Sequence, residues 1–239
     1  MAKLKIIHIY PKEMNIYGDN GNVQILSNRL KWLGYDNEII GVGIGDNIPT
    51  DASVIVGGGG QDAGQSDIAD DLVSKKQTLL DMSVAGMPMM MICGMYQMFG
   101  HYFRTTEGKD IPGIGVLDVT TVAGDVRMIG NIVVNTEKWG QVTGYENHSG
   151  KTYLGKDVKP IGQALKLQGN NGEDRMEGAN INNVFGSYLH GPIFAKNTKF
   201  VDHFVELIIG EEVKSFSQQV KAVDILANKA SEIATKLPR

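Results

Sequence analysis

Short apolar runs alternate with helical patterns over the first hundred residues of this chain. Four apolar runs predict strands: LKIIHIY at 4–10, then NEIIGVGI, ASVIVGG and MPMMMIC. Between them, apolar residues recur at helical spacing over 21–35 and 67–86. Strands that are separated by helices pair in parallel through right-handed crossovers. The pattern therefore predicts an α/β fold with a doubly wound, mostly parallel sheet flanked by helices.

The pattern becomes β-rich from about residue 113 to residue 190 and helical again afterwards. The β-like runs are GIGVLDVTT, GNIVVNT, QVTGYEN and NVFGSYLH, joined by Gly/Asn turns. Helical spacing returns over 199–210 and 216–237. Because no shift in composition marks a linker, we expect a single domain over 1–239 with a β-rich second half and a C-terminal helical segment at about 197–237.

Composition excludes several classes of function. The net charge of −4 and the pI near 5.7 leave no electrostatic footprint for nucleic acid or an anionic membrane. A lone cysteine cannot form an internal disulfide, and the N-terminus lacks the apolar core of a signal peptide. The longest uncharged run, near 83–101, is interrupted by Pro88 and three glycines. We therefore expect a cytoplasmic protein with no integral membrane segment and no nucleic-acid partner.

The only cysteine, Cys93, lies where a predicted strand meets a short helix, in GMPMMMICGMYQMFG. A lone cysteine is more often a small packing residue than a nucleophile. Strand, tight turn and helix nevertheless form the layout of a nucleophile elbow, which projects a side chain from the sheet edge. The positive end of the following helix favours the thiolate, and the amide of Gly94 can donate to an oxyanion.

The loop VGGGGQD at 56–62 could supply a second oxyanion donor, because glycine lets a peptide N–H face a substrate. Nucleotide binding is the weaker interpretation, since the loop lacks the Lys-Ser/Thr of a P-loop and a spaced G-x-G-x-x-G. A thiol nucleophile also needs a base, usually histidine. His148 and His190 both follow β-like runs, and Gly191-Pro192 slightly favours His190 because it ends the strand there. The other three histidines are expected to be structural.

Several motifs together resemble a known family. The cysteine elbow, the glycine loop and the distant YLHGP resemble class I (triad-type) glutamine amidotransferases of the cobyric-acid-synthase-like branch, which have a flavodoxin-like fold. Closer still, MNIYGDNGN, GGGQD, ICG-x-YQ, GYENHSGKTYLG and GSYLHGP are similar to the glutaminase subunits of lipid II isoglutaminyl synthases. The similar motifs extend from the N-terminus to about residue 195, which is most of the chain.

This resemblance implies a glutaminase in which Cys93 attacks the side-chain amide of L-glutamine and His190 transfers the proton. Gly59 and Gly94 would hold the oxyanion, and Arg127, in GDVRMIGN, matches an arginine that helps to bind glutamine. The family needs no metal and no cofactor in this chain. It passes ammonia to a Mur-ligase-like synthetase subunit in a heterodimer. That partner would use ATP and Mg²⁺ to amidate D-glutamate of the lipid II stem peptide to D-isoglutamine, a step of peptidoglycan biosynthesis.

Two positions depart from the family pattern. Met95 stands where class I enzymes often have glycine, and a bulkier residue could shift the elbow. Pro192 stands where the usual triad has glutamate, two residues after the histidine. Either the site is a dyad, or Asp19, Glu146 or an acid of the partner subunit orients His190.

Three other functions remain in competition. One is the glutaminase component of cobyric or cobyrinic acid amidation, although such domains usually come joined to an ATP-binding synthetase. Another is a non-catalytic binding protein on the same fold. The third is a cysteine peptidase or chaperone of the PfpI-like group, which would require Cys-His where this chain has Cys-Gly.

Overall fold

The computed structural model describes residues 3–166, 168–213 and 216–237. The strands are β1 (Leu4–Ile9), β2 (Asn37–Val42), β3 (Val54–Gly57), β4 (Met89–Ile92), β5 (Tyr102–Arg104), β6 (Asp110–Pro112), β7 (Val119–Thr136), β8 (Gly140–Leu154), β9 (Gly162–Ala164), β10 (Met176–Glu177), β11 (Ala179–Ile181) and β12 (Val184–Ser187). The helices are α1 (Asn20–Trp32), α2 (Asp62–Ser74), α3 (Lys76–Val84), α4 (Gly94–Phe99), α5 (Ile193–Lys196), α6 (Thr198–Ile209) and α7 (Gln218–Ala234).

The first sheet has the strand order β11-β12-β4-β3-β1-β2 and is parallel except for β11. All four strands predicted in the first hundred residues belong to it, and the predicted α/β fold class is confirmed. The helix expected over 67–86 differs, because it is divided into α2 and α3 at Lys75. β12 pairs with β4 in parallel, with Ser187 opposite Ile92. The segment after β12 therefore emerges beside the turn that carries Cys93.

A second sheet accounts for the β-rich half. Its order is β10-β9-β7-β5-β6, and the long strand β8 pairs with β7 as an antiparallel hairpin. The register of this hairpin shifts between Ala123 and Met128, so Arg127 lies in an irregular stretch of β7. An isolated bridge between Tyr145 of β8 and His190 connects the hairpin to the first sheet. The two sheets thus meet at His190.

The C-terminal helices pack beside α1 around a buried cation. Arg29 of α1 is ion-paired with Asp202 of α6 and, through Nη1 at 2.7 Å, with Asp224 of α7. Gly210 has φ +74° and ends α6 in the left-handed conformation that glycine adopts without strain. None of the helices in the described ranges combines the length and the apolar character that a bilayer crossing demands.

Candidate active site

Cys93 occupies a strained turn between β4 and α4. Its backbone has φ +51° and ψ −108°, a region that non-glycine residues adopt only when the surroundings enforce it. Here the N–H of Cys93 donates to the carbonyl of Ser187 at 2.8 Å, and its carbonyl accepts from the N–H of Gln97 at 3.0 Å. The predicted elbow geometry is therefore present, at the carboxyl end of a central parallel strand where ligand sites of such sheets lie.

Met95 is accommodated in the elbow because the neighbouring strand has a glycine. Met95 is fully buried, and a Cβ added at Gly57 of β3 would lie 2.9 Å from Met95 Cγ and 3.1 Å from its Cβ. Real Cβ atoms do not approach that closely. Gly57 thus provides the space that a glycine at position 95 would otherwise provide, and the elbow keeps its conformation.

His190 reaches the elbow from the end of β12. Its N–H donates to the carbonyl of Tyr145 at 2.9 Å and its carbonyl accepts from the N–H of Tyr145 at 3.1 Å. The chain then turns at Gly191, with φ +111°, and Pro192 packs against α1, where a Cβ at Gly21 would lie 2.3 Å from Pro192 Cγ. Pro192 therefore holds the N-terminal end of α1 against the histidine.

The acid that orients His190 is Asp19, the residue that precedes α1. Nδ1 of His190 lies 3.0 Å from Asp19 Oδ2 and 3.1 Å from Oδ1, and both side chains are buried. The other candidate of this chain, Glu146, lies elsewhere: its carboxylate accepts from the N–H of Gly169 at 3.0 Å and lies 3.7 Å from His148. Pro192 stands where the usual triad has its acid, and Asp19, from the N-terminal part of the chain, therefore takes the place of that acid beside His190.

The electrostatic surroundings favour the imidazolium of His190 once it has taken the proton of Cys93. Burial alone would lower its pKa, but the hydrogen bond to Asp19 and the interaction with Cys93 outweigh burial and raise the pKa of His190 to about 10. Since Nδ1 faces Asp19, Nε2 is the nitrogen available to the sulfur. Nε2 is buried and makes no hydrogen bond of standard geometry in the part of the chain that the structure describes. Contacts of this kind are often loose before a substrate binds.

The glycine loop supplies two different functions at neighbouring positions. The N–H of Gly59 donates to Asp19 Oδ2 at 2.7 Å, and a Cβ at Gly59 would lie 2.7 Å from His190 Cε1. Gly59 thus supports the Asp19–His190 pair, so its amide is not free for an oxyanion, contrary to the sequence prediction. A Cβ at Gly94 would lie 3.0 Å from the nitrogen of Gly60. Among the described residues, the amides of Gly60 and Gly94 donate no hydrogen bond, so this pair is the better candidate.

Arg127 is connected to the site through two residues that the sequence analysis did not single out. Its Nε donates to Asn147 Oδ1 at 2.6 Å, and Asn147 Nδ2 donates to the hydroxyl of Tyr17 at 2.7 Å. The ring of Tyr17 lies edge-on to that of His190, with centroids 4.8 Å apart. Tyr17 belongs to MNIYGDNGN and Asn147 to GYENHSGKTYLG, so the motifs were the only available signal.

His148, the alternative base, packs behind the elbow instead. Its ring stacks on that of Tyr188 at a centroid distance of 3.5 Å, and its Nδ1 donates to the carbonyl of Gly150 at 2.8 Å. The hydroxyl of Tyr188 accepts from Gln97 Nε2 at 3.0 Å and is hydrogen-bonded to Thr152 at 2.6 Å. This buried network fixes α4, and His148 serves it as a packing residue.

Comparison with known proteins decides the family. Residues 5–198 match the CobB/CobQ-like glutamine amidotransferase domain. The chain belongs to the CobB/CobQ-like glutamine amidotransferases. The resemblance inferred from the motifs is thereby confirmed, and with it the assignment of the chain as a glutamine amidotransferase.

Two kinds of protein are among the relatives of this amidotransferase. The lipid II isoglutaminyl synthase (glutamine-hydrolyzing) subunits GatD of Streptococcus pneumoniae and Staphylococcus aureus are 36% and 34% identical to it. The matches cover 96% and 86% of this chain and 90% and 84% of those proteins. Cobyric acid synthase of Listeria monocytogenes is 32% identical, but the match covers 54% of this chain and 26% of that protein.

Solved structures agree on the fold of the amidotransferase. PurLQS from Thermotoga maritima superposes with a TM-score of 0.62 at 15% identity, covering 87% of this chain and 99% of that one. The glutaminase domain of Trypanosoma brucei CTPS with bound acivicin superposes with a TM-score of 0.57 at 11% identity, covering 91% of this chain and 99% of that one. At such low identities the likeness concerns the fold alone.

Proposed function

We propose that this amidotransferase hydrolyses L-glutamine through a thioester on Cys93. The observation that carries the proposal is the sequence of contacts from Asp19 through His190 toward Cys93, assembled on a strained elbow. Sγ attacks the amide carbon of glutamine while Nε2 takes the thiol proton, and the amides of Gly60 and Gly94 stabilise the resulting oxyanion.

Collapse of the tetrahedral intermediate then breaks the C–N bond. His190 returns its proton to the nitrogen, which leaves as ammonia, and the glutamyl thioester remains on Cys93. Water attacks the thioester, gives its proton to His190, and releases glutamate as the sulfur regains a proton. Throughout, Asp19 accepts from Nδ1 and holds the imidazole with Nε2 toward the sulfur, the same division of roles as in other nucleophile–histidine–acid sites.

Arg127 is proposed to bind the α-carboxylate of glutamine. It is exposed, and it is linked through Asn147 and Tyr17 to the catalytic histidine. A planar guanidinium matches a carboxylate in charge and in geometry. This role would fix the distance between the amino-acid head group and the side-chain amide that Cys93 attacks.

For the destination of the ammonia, we propose a Mur-ligase-like synthetase subunit that forms a cytoplasmic heterodimer with this chain. That subunit would bind ATP and Mg²⁺ and amidate the α-carboxylate of D-glutamate in the lipid II stem peptide. The relatives named as GatD subunits support this, because this chain spans 90% and 84% of their length. In contrast, the cobyric acid synthase is matched over only 26% of its length, which disfavours cobyric acid amidation.

Glutamate release from L-glutamine tests the hydrolytic step, measured with the full chain alone and together with the synthetase subunit. Cys93→Ala is expected to lower the rate by roughly three orders of magnitude or more, and His190→Gln by a comparable factor. His101→Gln is the matched control, because His101 is an exposed histidine paired with Asp118, outside the site. Equal activity of Cys93→Ala and wild type would refute the thioester.

The acceptor is tested by transfer of label. With L-glutamine carrying ¹⁵N in its amide group, ATP, Mg²⁺ and the synthetase subunit, we expect ¹⁵N in the isoglutamine amide of lipid II. If lipid II is the acceptor and the label appears only as free ammonia, whereas a corrin carboxylate as the acceptor takes up the label, the result would instead support the cobyric acid branch. Either result leaves the hydrolytic proposal to its own assay.

A further inference from the structure

The catalytic pair is covered in this structure. Only 5% of Cys93 and 1% of His190 is exposed, although glutamine must bring its amide carbon into contact with the sulfur. Some group at the protein surface therefore has to move before the reaction.

Tyr17 is an exposed side chain that packs against the catalytic histidine and can move without disturbing the core. It packs edge-on against the His190 ring, yet 45% of the residue is exposed. Its backbone has φ +54°, which is unusual for an aromatic residue, and Gly18 follows with φ +77°. The N–H of Ile16, just before it, donates to the carbonyl of Gly59 at 3.1 Å. Because the loop is anchored there, rotation of the Tyr17 side chain is the simplest way to uncover the site.

A single amide holds Tyr17 in the covering position. Asn147 donates to the Tyr17 hydroxyl with Nδ2 and accepts from Arg127 Nε with Oδ1. In the described part of the chain, Tyr17 and Arg127 make no other side-chain hydrogen bond. The orientation of Asn147 therefore depends on Arg127, and the position of Tyr17 depends on Asn147.

We propose that Tyr17 is a movable cover over Cys93 and His190, and that Asn147 latches it. A carboxylate that binds the Arg127 guanidinium competes with Asn147 Oδ1, loosens the latch and admits the amino acid whose head group it is. Tyr17 and Asn147 are thus positioning residues that favour substrates with an α-carboxylate. The opening of the latch by a substrate carboxylate rests on the proposed function, whereas the cover itself is independent of the reaction.

Covalent labelling of the thiol measures the cover directly, because Cys93 is the only cysteine. The full chain is treated with a small thiol reagent, methyl methanethiosulfonate, and with a bulky one, an N-arylmaleimide, and labelling is followed by mass spectrometry. Tyr17→Phe and Asn147→Leu each remove the hydrogen bond of the latch and are expected to speed labelling by the maleimide roughly two- to tenfold. Tyr17→Ala removes the cover and is expected to have the larger effect.

The two reagents separate access from reactivity. A more reactive sulfur would accelerate both reagents by the same factor, whereas an uncovered site accelerates the bulky reagent more. Tyr153→Phe is the matched control, since its hydroxyl faces Glu173 on the hairpin surface, and it is expected to label like wild type. Wild-type labelling rates in Tyr17→Phe and Asn147→Leu would overturn the latch, and equal acceleration of both reagents in Tyr17→Ala would overturn the cover.

The latch is tested in glutamine hydrolysis by the complex with the synthetase subunit. Asn147→Asp places a carboxylate against Arg127 and is expected to raise KM for L-glutamine about tenfold, with a smaller effect on kcat. An unchanged KM would overturn the carboxylate-operated latch while leaving the cover intact. Absence of hydrolysis by the wild-type complex would refute the proposed function, and the labelling experiment would still decide the cover.

Discussion

Replacement of Asp19 by asparagine tests whether this residue completes the catalytic site. The carboxylate faces two donors, the N–H of Gly59 at 2.7 Å and the Nδ1–H of His190 at 3.0 and 3.1 Å. An amide of the same shape has one oxygen and one NH₂ group, so its NH₂ must face one of the two donors. If the oxygen keeps the Oδ2 position beside Gly59, the NH₂ replaces Oδ1, which lies 3.1 Å from Nδ1, and it favours the tautomer that is protonated on Nε2. That tautomer cannot accept the thiol proton.

The expected loss follows from the hydrogen bond that is removed. A hydrogen bond to a charged group contributes about 1.5–3 kcal/mol, which corresponds to roughly ten- to 150-fold in kcat. The unfavourable tautomer adds to this, so a tenfold loss is the lower bound. Asp19 also raises the pKa of His190. In Asp19→Asn the imidazolium therefore loses its proton at a lower pH, and the alkaline limb of kcat/KM moves in that direction.

The assay is glutamate release across pH 6 to 11, with the full chain in complex with the proposed synthetase subunit. Asp51→Asn is the matched control, because Asp51 pairs with Lys5 on the surface. Thermal unfolding of each variant shows whether the fold is retained. If Asp19→Asn retains wild-type kcat and an unshifted alkaline limb, Asp19 does not orient His190, and the acid has to come from the partner subunit or is not needed.

Three further predictions concern packing, pH and close approach. Gly57→Ala is expected to lower the free energy of unfolding in urea by about 1–3 kcal/mol, and by less in a Met95→Ala background, because the added methyl group would collide with Met95 Cγ as well as with Met91 Sδ; an equal loss in both backgrounds would contradict this. Burial raises the pKa of Glu177 to about 7, so its protonated form stabilises the fold below the ordinary glutamate pKa, and this stability is lost as pH rises through 7. Glu177→Gln should remove a decline of up to about 3 kcal/mol between pH 4 and 8 in thermal unfolding, and an unchanged pH dependence would refute it. Gly59→Ala should displace the imidazole of His190, because the added Cβ would lie 2.7 Å from its Cε1, and lower kcat about 100-fold in glutamate release; retained kcat would show that the glycine loop moves instead.

Local features of the amidotransferase were predictable because their causes are local. Alternating apolar runs and helical stripes gave the parallel sheet, and the strand–Cys-Gly–helix pattern gave the elbow at Cys93. Gly191-Pro192 predicted that His190 lies where a strand gives way to a turn, and His190 does lie just beyond β12, which ends at Ser187. Each inference needs only the backbone preferences of a few consecutive residues, and the structure agrees with each.

Contacts within the site were less predictable, because they join distant segments. Asp19 and His190 are 171 positions apart, and the sequence left open Asp19, Glu146, an acid of a partner subunit or a dyad without an acid. Gly59 and Gly60 are adjacent glycines, so no propensity could show that one amide binds Asp19 while the other is free. The compensation of Met95 by Gly57 depends on which strand lies next to β4.

The sequence by itself thus determined the elements, the order in which they follow, and the two side chains whose chemistry identifies the site. Only the tertiary structure decided which acid supports His190 and how Tyr17 and Asn147 connect Arg127 to it. The physical reason is that periodicity and turn preferences act over a few residues, whereas these contacts depend on strand order, on register and on the packing of Pro192 against α1.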